Sequence, residues 1–212
     1  MQDDTADRAQ RIVEMADKRL PRESLALFVR EILDWNPRLG LVSKLDPESV
    51  ITRLIGRSVA LWEFVEANAA PPTPYHIADI GPGAGFPGVI WRLLVPSLRL
   101  TLIERNSSRT VFLERTLRRL GFEDVAVIES NLRAYAQSED HSEFDLVTML
   151  AVAPPARIGE WVEPLLRGGG YLVTSRSTNE TILQTVGTSL QLSSSASVAD
   201  GVHLLYRKPP SQ

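Results

Sequence analysis

Asp79-Ile80-Gly81-Pro82-Gly83-Ala84-Gly85-Phe86-Pro87-Gly88 decides how the rest of the chain is read. A short apolar run from Tyr75 to Ile80 precedes the glycines, and a second from Val89 to Val95 follows them. That order reads as strand, glycine turn, helix. Gly81, Gly83 and Gly85 let the backbone turn sharply, and without a Cβ a ligand can touch the main chain. Pro87 suits the first turn of the following helix, where its missing N–H is no loss. The stretch has the form of a nucleotide-type cofactor site.

Downstream, strands and helices alternate. Strands are predicted at 75–80, 98–104, 124–129, 143–150 and 169–175, and helices near 86–95, 107–120, 157–166 and 178–188. Segments 190–196 and 202–207 read as a final antiparallel pair around Asp200-Gly201. The pattern implies an α/β fold: a doubly wound, mostly parallel sheet of seven strands. Cofactors in such sheets sit at the carboxyl ends of the strands, near the switch in strand order.

Upstream, residues 5 to about 70 read as all-helical. Ile12, Met15, Ala16 and Leu20 fall at helical spacing before Pro21. Leu25, Phe28, Val29, Ile32, Leu33 and Trp35 form a second apolar face, which Pro37 and Gly40 should end. Asp46 is placed to cap a third helix with Pro47 at its first position. Pro71, Pro72 and Pro74 punctuate the chain. The expected division is a helical cap at 1–70 and a cofactor-binding domain at 71–212.

Composition narrows the chemistry. The 212 residues contain no Cys, which excludes a thiolate nucleophile, a disulfide and Cys-ligated metal. Three His without HxxxH-type spacing give no reason to expect a metal. No apolar run approaches the ~18 residues of a membrane span. The polar, acidic N-terminus is no secretory signal. A cytoplasmic protein is expected, with a monomer as the working assumption. Net charge is −3, so any nucleic-acid role must rest on a local basic patch. Such a patch exists in residues 105–119, where Arg105, Arg109, Arg115, Arg118 and Arg119 face only Glu114. Arg105 and Arg109 are expected near the cofactor mouth, and Arg118 and Arg119 on a solvated helix face. Trp35 and Trp62 read as packing between cap helices.

The glycine spacing does not fit a dinucleotide site, because Phe86 stands where the third glycine of G-x-G-x-x-G belongs. Asp79 would repel phosphates and favour a cation. The pattern D-x-G-x-G-x-G resembles the first motif of class I methyltransferases that use S-adenosylmethionine (SAM), a sulfonium without phosphate. Glu104, ending the second strand, can accept hydrogen bonds from ribose hydroxyls. Ser130-Asn131-Leu132 offers polar groups at the adenine edge, and Phe144 to Leu150 resembles the fourth methyltransferase motif. The expected cofactor contacts are Asp79, Gly81, Gly83, Gly85, Phe86, Glu104, Arg105, Asn131, Leu132 and Thr148. Each feature also has a structural reading: Asp79 as a turn cap, Glu104 as an exposed strand end, Gly168 to Gly170 as an αβ turn, Asp145 as a surface residue. The conjunction, in order, carries the cofactor reading over NAD(P) or no cofactor.

Leu33-Asp34-Trp35-Asn36 with Leu41-Val42, the loop DIGPGAGFPG, and Arg109-Thr110-Val111-Phe112-Leu113 together resemble the bacterial 16S ribosomal RNA guanine-N7 methyltransferase family, RsmG or GidB. The resemblance runs from about residue 10 to residue 176. It implies methyl transfer to a guanine of 16S ribosomal RNA in the small (30S) subunit. Guanine N7 carries a lone pair and no proton, so no catalytic base is assigned. Several positions depart from the family's pattern: Gly40 for a second Asn, Leu54 for His, Arg57-Ser58 for Asp-Ser, Ser108-Arg109 for Lys-Arg, Asn131 for Arg, Met149-Leu150-Ala151 for Ser-Arg-Ala, and Arg176 for Lys. Arg109, Arg57, Leu150 and Arg176 are the expected substrate-side residues. The departures keep two alternatives open: a methyltransferase moved to another acceptor, and a non-catalytic SAM-binding or ribosome-associated protein.

Overall fold

The computed structural model describes residues 2–69, 75–138, 143–150, 155–177, 182–199 and 201–210. Three helices come first: α1 (Gln2–Met15), α2 (Arg22–Leu39) and α3 (Pro47–Asn68). The boundary expected around 70–74 lies outside the described residues. Pro37 does not end α2; it sits in the last turn, where only one backbone hydrogen bond is forfeited. Gly40 ends the helix instead, in the left-handed conformation with φ 57°, its N–H donating to the Asn36 carbonyl. Buried Asn36 then fixes the exit, its Oδ1 accepting from the Val42 N–H at 2.8 Å. Asp46 caps α3 as expected, accepting from the Ser49 N–H at 3.1 Å.

The α/β part runs β1 (His76–Ile80), α4 (Gly88–Leu94), β2 (Arg99–Glu104), α5 (Ser107–Arg119), β3 (Ala126–Glu129), α6 (Leu132–Ala136), β4 (Phe144–Leu150) and α7 (Pro155–Val162). It continues through β5 (Leu166–Arg176), β6 (Thr185–Val186), β7 (Leu190–Val198) and β8 (Gly201–Arg207). The sheet order is β3-β2-β1-β4-β5-β8-β7-β6. The first five strands are parallel, and β8, β7 and β6 add on antiparallel. The order reverses between β1 and β4, placing the glycine loop at the switch point.

The sheet therefore has eight strands rather than seven. The helix expected at 178–188 is corrected: residues 178–181 lie outside the described residues, and 185–186 form β6, pairing with β7. The short α6 adds a helix beyond those predicted. The turn expected at Gly168 to Gly170 is an irregularity inside β5. That strand already pairs Leu166 with Phe144, bulges, and resumes at Tyr171 opposite Leu146. Pro87 sits just before α4 rather than within its first turn.

Two cores flank the sheet. On one face Ile77, Leu100, Leu102, Leu146, Val173 and Leu205 pack beneath α1 to α5. On the other, Ala78, Ile103, Val147, Leu172 and Leu204 pack beneath α6 and α7. The N-terminal helices thus share one core with the sheet. Trp62 of α3 lies against Trp91 of α4 at 5.4 Å between ring centroids, so it joins the helices to the α/β part rather than to one another. Among the described residues, no helix is long and apolar enough to cross a membrane.

Candidate active site

The site is built at the carboxyl end of β1. Asp79 lies between Leu102 of β2 and Thr148 of β4, on the sheet face covered by the N-terminal helices. It is 1% exposed, and one of its oxygens accepts from the Gly88 N–H at 2.8 Å. This bond draws the start of α4 down onto the strand and closes the loop. Among the described residues, the other oxygen, Oδ1, has no partner, and the Thr148 hydroxyl, on the adjacent strand, has none either. Burial, with nearby Glu104 adding to it, pushes the Asp79 carboxyl well above the usual carboxylate range, against the opposing pull of the Gly88 N–H.

The loop is shaped by residues without side chains. Gly83 holds φ 58°, and a Cβ there would meet nothing closer than the Arg109 guanidinium at 4.0 Å. The space above it is open, and Arg109 leans over it. At Gly85 the opposite applies: with φ 102°, a Cβ would stand 2.9 Å from Val89 and 3.2 Å from the Phe28 ring. Helix α2 therefore packs onto the loop through Phe28, whose ring also meets Phe86 edge-on at 5.4 Å.

Glu104, at the end of β2, is 3% exposed, so it is no exposed strand end. Its two oxygens accept from the Gly83 N–H at 3.2 Å and the Asn106 N–H at 2.9 Å. Each oxygen keeps a lone pair for a further donor. The carboxylate thus ties the loop to the next strand and remains able to accept from a ligand.

The other expected contacts divide. The ring of Phe86 and the side chain of Leu132 are buried in opposite cores, leaving their backbones to face a ligand. Thr148 is fully buried. Asn131 caps α6, its Oδ1 accepting from the Ala134 N–H at 2.9 Å, which leaves its amide N–H groups for other use. Arg105 is exposed and Arg109 half-buried, and among the described residues neither pairs with a carboxylate. Asp145 is no surface residue: it binds Arg167 at 2.9 Å and the His76 N–H at 2.8 Å, at the opposite end of the sheet.

On the substrate side, Leu150 stands opposite Ser175, and Arg176 opposite Val202. Sequence reasoning missed His203. It faces Ser175 across β5 and β8, with Ser175 Oγ 2.7 Å from its Nδ1. Its Nε2 is buried without a partner among the described residues. Burial and the Arg57 charge hold its pKa below the usual histidine value, so Arg57 of α3 lies at this end of the sheet too. Among the described residues, no three His, Asp or Glu side chains gather as a metal site.

The arrangement suits a cofactor that is cationic and carries a ribose. An unpartnered buried carboxylate oxygen, an open glycine cradle and an acceptor at the end of β2 meet at one switch point.

A chain of the putative methyltransferase yhhF from Escherichia coli superposes with a TM-score of 0.60 at 16% identity, covering 73% of this chain and 86% of that one. A mutant of MtNAS, solved in complex with S-adenosylmethionine, superposes at 0.60 and 15% identity over 97% and 98% of the two chains. At such identities the likeness is one of fold. In sequence, the ribosomal RNA small subunit methyltransferase G of Desulfitobacterium hafniense is 30% identical over 155 residues, 73% of this chain and 62% of the relative. That of Roseiflexus castenholzii is 33% identical over 155 residues, 73% and 64% of the two. The match thus spans somewhat under two thirds of these relatives' length. The family profile described as rRNA small subunit methyltransferase G matches residues 22–200, nearly the whole chain, and the chain belongs to that family.

Proposed function

We propose that the protein is a SAM-dependent methyltransferase that methylates N7 of a guanine in 16S ribosomal RNA, acting in the cytoplasm as a monomer. The observation that carries this reading is the loop DIGPGAGFPG, folded over buried Asp79 and Glu104 in a chain of this family. Membership of this family favours the reading over the two alternatives.

SAM bound at this loop supplies an electrophilic methyl group on a sulfonium. Glu104 accepts hydrogen bonds from the ribose hydroxyls. Asp79, once ionised, would balance the cofactor's positive charge. Gly81, Gly83 and Gly85 give backbone contact, and Asn131, the Leu132 backbone and Arg105 border the adenine end. Arg109, Arg57, Leu150 and Arg176 line the acceptor side. Guanine N7 brings a lone pair and no proton to remove. Alignment and a fixed electrostatic surface therefore suffice, and the site needs no base. Mass mapping of small-subunit RNA from a strain deleted for this gene tests the proposal. Loss of a methylated guanine is expected; an unchanged methyl-guanine content contradicts it.

A further inference from the structure

Trp35 and the arginines of α5 have a placement that the cofactor site does not explain. Trp35 is half-buried at the surface rather than enclosed among the N-terminal helices. The Arg115 guanidinium lies 5.5 Å and that of Arg38 5.9 Å from its ring centroid. Beneath them Glu31 of α2 is almost fully buried and takes both Arg115, at 3.3 Å, and Arg119. One carboxylate thus aligns two guanidiniums, and their outer edges stay about half exposed. Arg118 lies at the edge of this cluster, on the side of α5 that carries Glu114 and faces Glu123, exposed and, like Arg38, without an ion-pair partner among the described residues.

Helix α5 links this face to the site. Helix α5 starts at the cofactor end of the sheet, where Arg109 leans over Gly83. It then runs away from that end carrying Arg115, Arg118 and Arg119. With Arg38 and Arg105, six arginines lie on α5, its approach and the end of α2, against Glu31, Asp34 and Glu114. The whole chain carries −3, so the rest of the surface is distinctly acidic by contrast. Arginine forks match phosphate oxygens, and an exposed aromatic edge between guanidiniums is a stacking surface.

We infer that the α2–α5 face, carrying Trp35, Arg38, Arg115 and Arg119 with Arg118 at its edge, docks the phosphate backbone of the RNA whose guanine enters the site. The inference rests on the proposed ribosomal RNA substrate. It explains how the chain compensates for Ser108, Asn131 and Leu150, where the family's basic residues are absent: positive charge lies along the approach rather than at the acceptor.

The test uses the full chain and small ribosomal subunits from cells deleted for this gene. The double variant R38E/R118E changes exposed side chains outside the cofactor site and leaves the Glu31 pairs intact. Its dissociation constant for the subunits should rise at least about tenfold. The slope of log affinity against log salt should become shallower by roughly 1.4 to 1.8, for two lost phosphate contacts. SAM affinity by calorimetry and the melting temperature should not change. R133E, on exposed α6 beneath the opposite sheet face, should bind like the wild type. If the wild type methylates the RNA and R38E/R118E binds it with unchanged affinity and slope, the face is wrong and the activity stands. Equal weakening by R133E also overturns the face. A wild type that neither binds nor methylates the subunits overturns both.

Discussion

Asp79 and Gly83 carry the clearest consequences at the scale of single residues. The Asp79 carboxyl is raised above its ordinary value of 3.8 in the folded chain. Above that pH the folded state binds a proton that the unfolded state has released, so stability without cofactor falls as pH rises through the folded pKa. A cationic cofactor favours the ionised form, so its binding should release a proton and strengthen over the same range. D79N removes both effects. Its melting temperature without cofactor should vary less with pH above 4, and its SAM affinity should drop at least about tenfold, with no gain on raising pH; melting curves and calorimetry across pH check this. G83V forces a branched side chain into a left-handed backbone and into the open cradle. It should destabilise the fold by about 1–2 kcal/mol and lower SAM affinity by about a hundredfold, read by calorimetry. Asp79, Glu104 and the glycines were legible in the sequence because strand ends and glycine spacing are local signals. His203 was not, because its importance arises from pairing with Ser175 across two antiparallel strands.

Elements were legible where a local pattern decided them and obscure where partners did. The five parallel strands and the final hairpin follow from apolar runs between turn residues. Residues 185–186, expected in a helix, pair with β7 instead, a contact that no local periodicity records. Pro37 was expected to stop α2, yet the helix continues to Gly40, because a proline in the last turn removes only one bond. Arg119 lies on an exposed helix face as expected, and it also pairs with Glu31, eighty-eight residues away in sequence, which no local pattern records. That pairing gives an asymmetric prediction. R115A/R119A leaves a buried carboxylate uncompensated and should lower stability by about 3 kcal/mol. E31Q leaves two half-exposed arginines that water can satisfy, and should destabilise less. Urea unfolding of both variants measures the difference; equal losses would mean that Glu31 is hydrated in the fold.

For the whole molecule, α1 to α3 and one sheet face bury a common core, from Ile12 through Phe28 and Trp62 to Val173 and Leu205. The division near residue 70 is then one of architecture, and we expect the two parts not to be separable in stability. A chain starting at residue 75 should expose the sheet face that packs beneath α1 to α3 and fail to give a cooperative unfolding transition, whereas the full chain should unfold in one step. A well-folded truncation would show two independent domains. Methyl transfer itself is measured with methyl-labelled SAM and small ribosomal subunits from cells deleted for this gene. Label should appear in a single guanine of 16S RNA and map to N7, and D79N and G83V should suppress it. Label that passes to another acceptor while the RNA stays unlabelled, from a protein that binds SAM, would contradict the claim.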